Sequence, residues 1–380
     1  MDGGLSQRLA TKRIVLCVGS GGVGKTTLAA AIALQGAMAG RKTLVLTIDP
    51  ARRLANSLGL ERLDNTETRI SPAVFQRAGL EPKAELWGMM LDVKRSFDDL
   101  IRRIAPTDEA AERILDNHYY QNLSDALAGS QEYMAMEKLH ELQAERDYDL
   151  LVVDTPPTKH ALDFLEAPNR MADFLDGKVI QWFIKPYLLA GKVGFAFAQR
   201  SAGMIFKMLE RFTGYEAMAD LAEFFLAFDG MYDGFKERAV HVKRLLASPQ
   251  TAFVLVTSPV SPAIDEARFF WRRLTHEKMA PEIVVFNRVH TLPVDDPQTW
   301  AAQARQAARK VMARFPHYAP AIDVLLENAA GLAEQAAADD QAMRRFLAET
   351  EPRQIHYRVP ALTADVHDLR SLAELGAYLV

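Results

Sequence analysis

The sequence of 380 residues contains one cysteine, Cys17. That excludes an intrachain disulfide and any multi-cysteine metal site. Set in an apolar run, the thiol reads as a small buried side chain. No stretch of 18 or more apolar residues is free of charge, so no membrane-spanning helix is expected. The 45 basic and 49 acidic residues leave a formal charge of -4, which gives no general attraction to nucleic acid or to an anionic membrane. The first apolar run, Ile14 to Val18, is too short for a secretory signal, and a cytoplasmic location is the expectation. What is left is an ordinary globular composition, 49% hydrophobic and 25% charged.

The segment from Val15 to Leu28, V-L-C-V-G-S-G-G-V-G-K-T-T-L, carries the strongest signal. A short β-branched run, the kind that forms a strand buried on both faces, leads into Gly19, Gly24, Lys25 and Thr26, which satisfy G-x-x-x-x-G-K-[ST]. An Ala/Leu-rich helix follows from Leu28 to Met38. A strand, a glycine loop and a helix in this order form a phosphate-binding context. Gly19, Gly21, Gly22 and Gly24 leave backbone N–H groups unobstructed around a phosphate, and the helix adds its positive end. Lys25 is placed for the β- and γ-phosphates, and Thr26 is a candidate Mg²⁺ ligand.

Further strands are read at Thr43 to Asp49, Asp149 to Asp154, Ala252 to Thr257, Ile283 to Asn287 and His356 to Val359. Strands alternating with helices imply an α/β fold, a mainly parallel P-loop NTPase sheet with helices on both faces and large helical insertions. One domain over 1–380 is expected, with the insertions at about 61–147 and 161–248. Ligands of such sheets bind beyond the carboxyl ends of the strands, and every chemical motif here follows a strand end. Asp49 is placed near a γ-phosphate, to orient the attacking water. Asp154, within V-V-D-T-P-P-T, is placed to hold Mg²⁺ through water. The competing reading of each is a helix-capping or loop carboxylate. The turns after them carry Pro50, Arg52 and Arg53, and Thr155, Pro156, Pro157, Lys159 and His160. They are candidate switch loops, since segments that sense a γ-phosphate and move packed helices are a common switch design. Asn287, followed by Arg288, can read an adenine edge with one donor and one acceptor, and Pro360 can wall the base.

These segments resemble one family, the deviant-Walker ATPases that include the arsenical pump ATPase ArsA and the Get-type tail-anchored-protein targeting factors. G-S-G-G-V-G-K-T-T resembles the family's phosphate loop. T-I-D-P-A-R-R-L and D-T-P-P-T-K-H-A-L-D-F-L resemble its switches I and II, and G-S-Q-E-Y-M-A-M-E-K-L the helix before the third strand. V-V-F-N-R and V-P-A-L resemble its adenine-contacting segments. The resemblance runs over about residues 12 to 380. It implies ATP and Mg²⁺ as ligands, with Gly21, Gly22, Val23, Gly24, Lys25, Thr26 and Thr27 on the phosphates. Asp49 would polarise water with Lys25 as the catalytic cation, and Asp154 would lie near the metal. Asn287, Arg288 and Pro360 would stand at the base.

The resemblance also implies a dimer closing around nucleotide, formed with a second copy or with a homologous ATPase subunit. One departure bears on rate. The family's signature lysine, second in the loop, is Ser20 here. Hydrolysis is then expected to be slow, or the missing charge comes from Arg52, Arg53, Lys159 or a partner subunit. An ATP-binding scaffold with little hydrolysis is the alternative reading. The family's zinc- and arsenite-binding cysteines are absent. A partitioning ATPase of the MinD/ParA kind is disfavoured by the missing lysine and by a short, nearly neutral closing helix.

Residues 174 to 235 hold ten of the nineteen phenylalanines, among them Phe183, Phe195, Phe197, Phe206, Phe224, Phe225 and Phe228. Met204, Met208 and Phe212 share one helix face by spacing. Packing inside a helical subdomain is the plain expectation for most of these side chains. A subset forming a groove for an apolar helical client is the functional one.

Overall fold

The computed structural model describes residues 5–49, 53–123, 130–156, 232–292, 297–350 and 355–379. Eight strands form one sheet in the order β3-β4-β2-β5-β1-β6-β7-β8. They are β1 (Ile14–Gly19), β2 (Thr43–Thr47), β3 (Thr68–Arg69), β4 (Leu86–Met90), β5 (Leu150–Asp154), β6 (Thr251–Thr257), β7 (Ile283–Val289) and β8 (Ile355–Pro360). Every pairing is parallel except that of β3 with β4. The described helices are α1 (Leu5–Arg8), α2 (Lys25–Met38), α3 (Arg53–Ser57), α4 (Pro72–Ala78), α5 (Val93–Ile104), α6 (Asp108–Leu115), α7 (His118–Leu123), α8 (Ser130–Glu145), α9 (Tyr232–Leu246), α10 (Ser261–His276), α11 (Pro297–Arg314), α12 (Ala319–Glu349) and α13 (Leu369–Gly376).

Alternation along the strands divides the core into two layers. Ile14, Leu16 and Val18 of β1 face the layer that holds Phe97, Leu139, Phe270 and Phe346, whereas Val15 and Cys17 face the layer beneath α2 and α13. Both faces of the inner strands are thus covered, which is why they read as continuous apolar runs. Helix α2 is rich in alanine, the strongest helix former, and is buried nearly all round. Register decides what stands together at the carboxyl edge. Strand β5 lies between β2 and β1, and Asp154 is level with Thr47 on one side and Cys17 on the other.

The sheet differs from the sequence expectation in two places. Residues 61–147, expected to be a helical insertion, supply β3, α4 and β4 before the described helices α5, α6, α7 and α8, which begin at Val93. Leu86–Met90 reads L-W-G-M-M, without a β-branched residue. Its strand form comes from pairing along β2 and from burial of Leu86 and Met89, a tertiary override of weak local preference. Strand β2 stops at Thr47, so Asp49 sits two residues beyond the strand rather than at its tip. The phenylalanine-rich stretch falls mostly outside the described residues, as do Pro50, Arg52, Pro157, Lys159 and His160.

Helix α12 has 31 residues, about 46 Å at the usual rise, and buries Asp339, Met343 and Phe346 near its C-terminal end. Among the described residues no helix is long and apolar enough to cross a membrane.

Candidate functional site

The site begins where β1 ends. Gly19 has φ of 152°, and a Cβ there would overlap the carbonyl oxygen of Val256 on β6, so only glycine lets the chain leave the sheet at this point. Gly22 and Gly24 have φ of 76° and 95°. The left-handed Gly24 precedes α2 directly and lets the loop close onto the helix N-terminus, where the first N–H groups lack intrahelical partners. Gly22, Gly24, Lys25, Thr26 and Thr27 line a cleft of about 870 Å³ that runs along the carboxyl edge of the sheet. Val23 is buried beneath the loop, and Gly21 is exposed on its outer side.

Behind the lining residues Thr26 and Thr155 lies Asp154, fully buried. Its Oδ2 accepts hydrogen bonds from Thr26 Oγ1 at 2.7 Å and Thr47 Oγ1 at 2.8 Å. Its other oxygen, Oδ1, has no hydrogen-bond partner. Burial raises the Asp154 pKa to about 6, against the pull of the two threonine hydroxyls and the Lys25 charge. Lys25 is itself buried, which lowers its pKa despite Asp154 beside it, and its Nζ donates to the Ser20 carbonyl at 2.8 Å. An unpaired buried carboxylate oxygen next to a threonine hydroxyl is an oxygen donor set that suits Mg²⁺, which takes one or two carboxylates and completes its shell with water and phosphate oxygens. Among the described residues no group of three His, Cys, Asp or Glu side chains could enclose a metal alone.

Asp49 is half-buried on the cleft wall, its N–H donating to Thr47 Oγ1 at 3.2 Å. Arg53, the first residue of α3, also lines the cleft. Thr155 is tied to β1 through Oγ1 donating to the Cys17 carbonyl at 2.8 Å.

The far end of the cleft is built by β7 and β8. Arg288 has φ of 59°, an unusual conformation for a non-glycine residue, and it lies in an irregularity of the β7/β8 ladder between Phe286 and Val289. Such bulges re-aim side chains beside functional sites. Here the Asn287 amide is turned onto the phosphate loop, its Nδ2 donating to the Val23 carbonyl at 2.7 Å while Oδ1 accepts the Arg288 N–H at 3.0 Å. A side chain at Gly24 would overlap this amide. Arg288 and Pro360 line the same end.

With this geometry in place, the chain can be set beside known proteins. A family model described as anion-transporting ATPase matches residues 12–318. The chain belongs to that family. It is similar to a putative arsenical pump-driving ATPase of Aquifex aeolicus, 24% identical over 267 residues, covering 67% of this chain and 58% of that protein. A putative arsenical pump-driving ATPase of Halobacterium salinarum is 31% identical over 164 residues, covering 43% and 25%. The ATPase get3 of Aspergillus terreus is 29% identical over 165 residues, covering 42% and 44%. The matches thus span less than two thirds of the length of each of these relatives. The family resemblance read from the sequence motifs is borne out, and with it the mainly parallel α/β sheet.

Sequence reasoning missed three side chains that shape the cleft. Thr47 becomes visible only once the β2–β5 register is known. Thr47 lies buried behind the cleft wall, whereas His290 and Asp339 line the cleft and are 49 positions apart in the chain. No motif connects them.

Proposed function

We propose that this member of the anion-transporting ATPase family binds Mg²⁺-ATP in the cleft and hydrolyses it as a dimeric switch. The observation that carries the reading is the fully buried Asp154 with an unpartnered oxygen, held by Thr26 and Thr47 at the foot of a glycine loop. A carboxylate buried in this way costs free energy unless a ligand compensates it.

In this reading the loop from Gly21 to Thr27 cradles the phosphates. Lys25 exchanges the Ser20 carbonyl for phosphate oxygens, and Thr26 and Asp154 hold the metal. Bound Mg²⁺ supplies charge neutralisation on the phosphates. Asp49 orients the attacking water. Asn287, Arg288 and Pro360 flank the base, with Asn287 also bracing the loop. The segments containing Asp49, Pro50, Arg52 and Arg53, and Asp154, Thr155, Pro156, Pro157 and Lys159, are the switches. They pass the γ-phosphate state to helical insertions that bind an apolar helical client. The protein works in the cytoplasm as one domain, paired with a second copy or with a homologous subunit, and takes neither nucleic acid nor a membrane span.

Calorimetry with Mg²⁺ and ATP tests the binding step, and no uptake of ATP or ADP at millimolar concentrations would sink the reading. Asp49→Asn is expected to keep binding and lose turnover. A second reading, an ATP-binding scaffold with little hydrolysis, is favoured by Ser20, a buried neutral side chain at the loop's second position whose hydroxyl has no partner. Negligible turnover in the isolated chain with intact ATP binding selects it.

A further inference from the structure

The nucleoside end of the cleft contains a residue pair that the phosphate chemistry does not use. His290 follows β7 directly and lines the cleft. Asp339 reaches it from the C-terminal half of α12 and is buried. One oxygen, Asp339 Oδ2, accepts both the His290 backbone N–H at 2.8 Å and the ring Nδ1 at 2.9 Å. The side chains are 39% and 10% exposed, so the carboxylate lies behind the ring and the ring faces outward.

The donor and acceptor roles follow from chemistry. A carboxylate oxygen only accepts, so Nδ1 carries the proton, and in the neutral ring Nε2 is left with a lone pair. A carboxylate or carbonyl behind a histidine fixes both the tautomer and the ring orientation of its other nitrogen. The second contact, to the backbone N–H of the same residue, holds the start of the segment as well as the ring. Of the other groups near this end, Asn287 is engaged on the Val23 carbonyl and the Arg288 N–H, and the Nδ1 of His367 on the Asp365 carbonyl at 2.8 Å.

We propose that His290, oriented by Asp339, is a specificity residue that accepts a hydrogen bond from the nucleoside part of the bound nucleotide. Its Nε2 takes a donor group, either the 6-amino group of adenine or a ribose hydroxyl. Asp339 is a positioning residue that acts through the ring. This inference rests on the proposed nucleotide site and goes beyond it by adding a selectivity element from α12.

The test is calorimetric titration of the full chain, with Mg²⁺, using ADP, IDP, 2′-deoxy-ADP and 3′-deoxy-ADP. IDP has a carbonyl where ADP has the amine, and the deoxy forms each lack one hydroxyl. In the wild type one analogue is expected to bind about ten-fold more weakly than ADP, the scale of one hydrogen bond. The analogue that suffers names the donor. His290→Ala should weaken ADP by about the same factor and bind that analogue and ADP alike. Asp339→Leu should reproduce this loss of selectivity, whereas Asp339→Asn, which keeps an acceptor oxygen, should restore most of it. Should Asp339→Leu fail to fold, His290→Ala, with its exposed ring, carries the test. Unchanged relative affinities in His290→Ala overturn the inference while leaving the nucleotide site standing. A wild type that binds ADP but ranks all four ligands equally overturns it too. A wild type that binds none of them removes the nucleotide site and this inference together.

Discussion

At the end of the cleft proposed to take the phosphates, the loop from Gly19 to Thr27 is one continuous segment, and its counterpart Asp154 lies at the tip of the strand beside β1. At the end proposed to take the nucleoside, β7, β8 and α12 each contribute separately, and the polar contacts there join residues far apart in sequence, Asn287 to Val23 and His290 to Asp339. Both ends use side-chain hydrogen bonds across elements, but the first adds a close backbone approach at Gly19 that only glycine allows. Backbone geometry tolerates almost no change, since a Cβ in the wrong place has nowhere to go. A single side-chain hydrogen bond contributes on the order of 1 kcal/mol and can be lost while the fold survives. The phosphate end is therefore expected to fail abruptly on substitution, and the nucleoside end by degrees.

The sharpest way to break this contrast is Gly19→Ala. The added Cβ meets the Val256 carbonyl, and the expected cost is about 4 kcal/mol or more, seen as loss of soluble folded protein or a collapsed denaturation midpoint. A variant of near wild-type stability would contradict it. Lys25→Ala should fold, because it removes one buried ammonium held on a single carbonyl, yet lower turnover roughly 10²–10³-fold, the usual scale for losing one transition-state donor. Steady-state phosphate release measures this.

Asp154 gives a pH signature. Its pKa of about 6 in the folded protein lies above the ordinary carboxylate value of 3.8. Folding therefore retains a proton that the unfolded chain has released between these values. The contribution is fully present below about pH 4 and is lost as pH rises through 6, a swing of about 3 kcal/mol. Urea denaturation of the wild type against Asp154→Asn, without Mg²⁺ or nucleotide, should show the difference between them moving by about that much from pH 4 to pH 8 in favour of the variant. A difference that does not change with pH would mean that the carboxylate is not desolvated as described. At the nucleoside end, Asn287→Ala should cost only about 1–2 kcal/mol of stability, with a weaker grip on nucleotide, since it removes the two side-chain hydrogen bonds to the Val23 carbonyl and the Arg288 N–H and introduces no clash. An effect as large as that of Gly19→Ala would erase the distinction between the two ends.

The same division explains what could be read in advance. The glycine loop is a local pattern in which residue type, spacing and flanking elements all carry signal, and it was legible without any tertiary knowledge. So were six of the eight strands and the acidic residues Asp49 and Asp154, although Asp49 lies past its strand. Strands β3 and β4 were not legible: a two-residue strand and an L-W-G-M-M segment have no period of their own. Nor was Arg288, whose left-handed backbone follows from ladder irregularity rather than from its side chain.

The sequence by itself determined that a glycine loop between a strand and a helix, an acidic residue at the end of β5 and an alternating strand–helix order exist, because those depend on neighbours a few residues apart. Tertiary structure alone decided that Thr47 joins Thr26 on Asp154, that Asn287 braces the loop and that Asp339 stands behind His290. Those pairings depend on strand order, register and the path of a long helix. They are set by how the whole chain buries its apolar faces, so no local pattern records them.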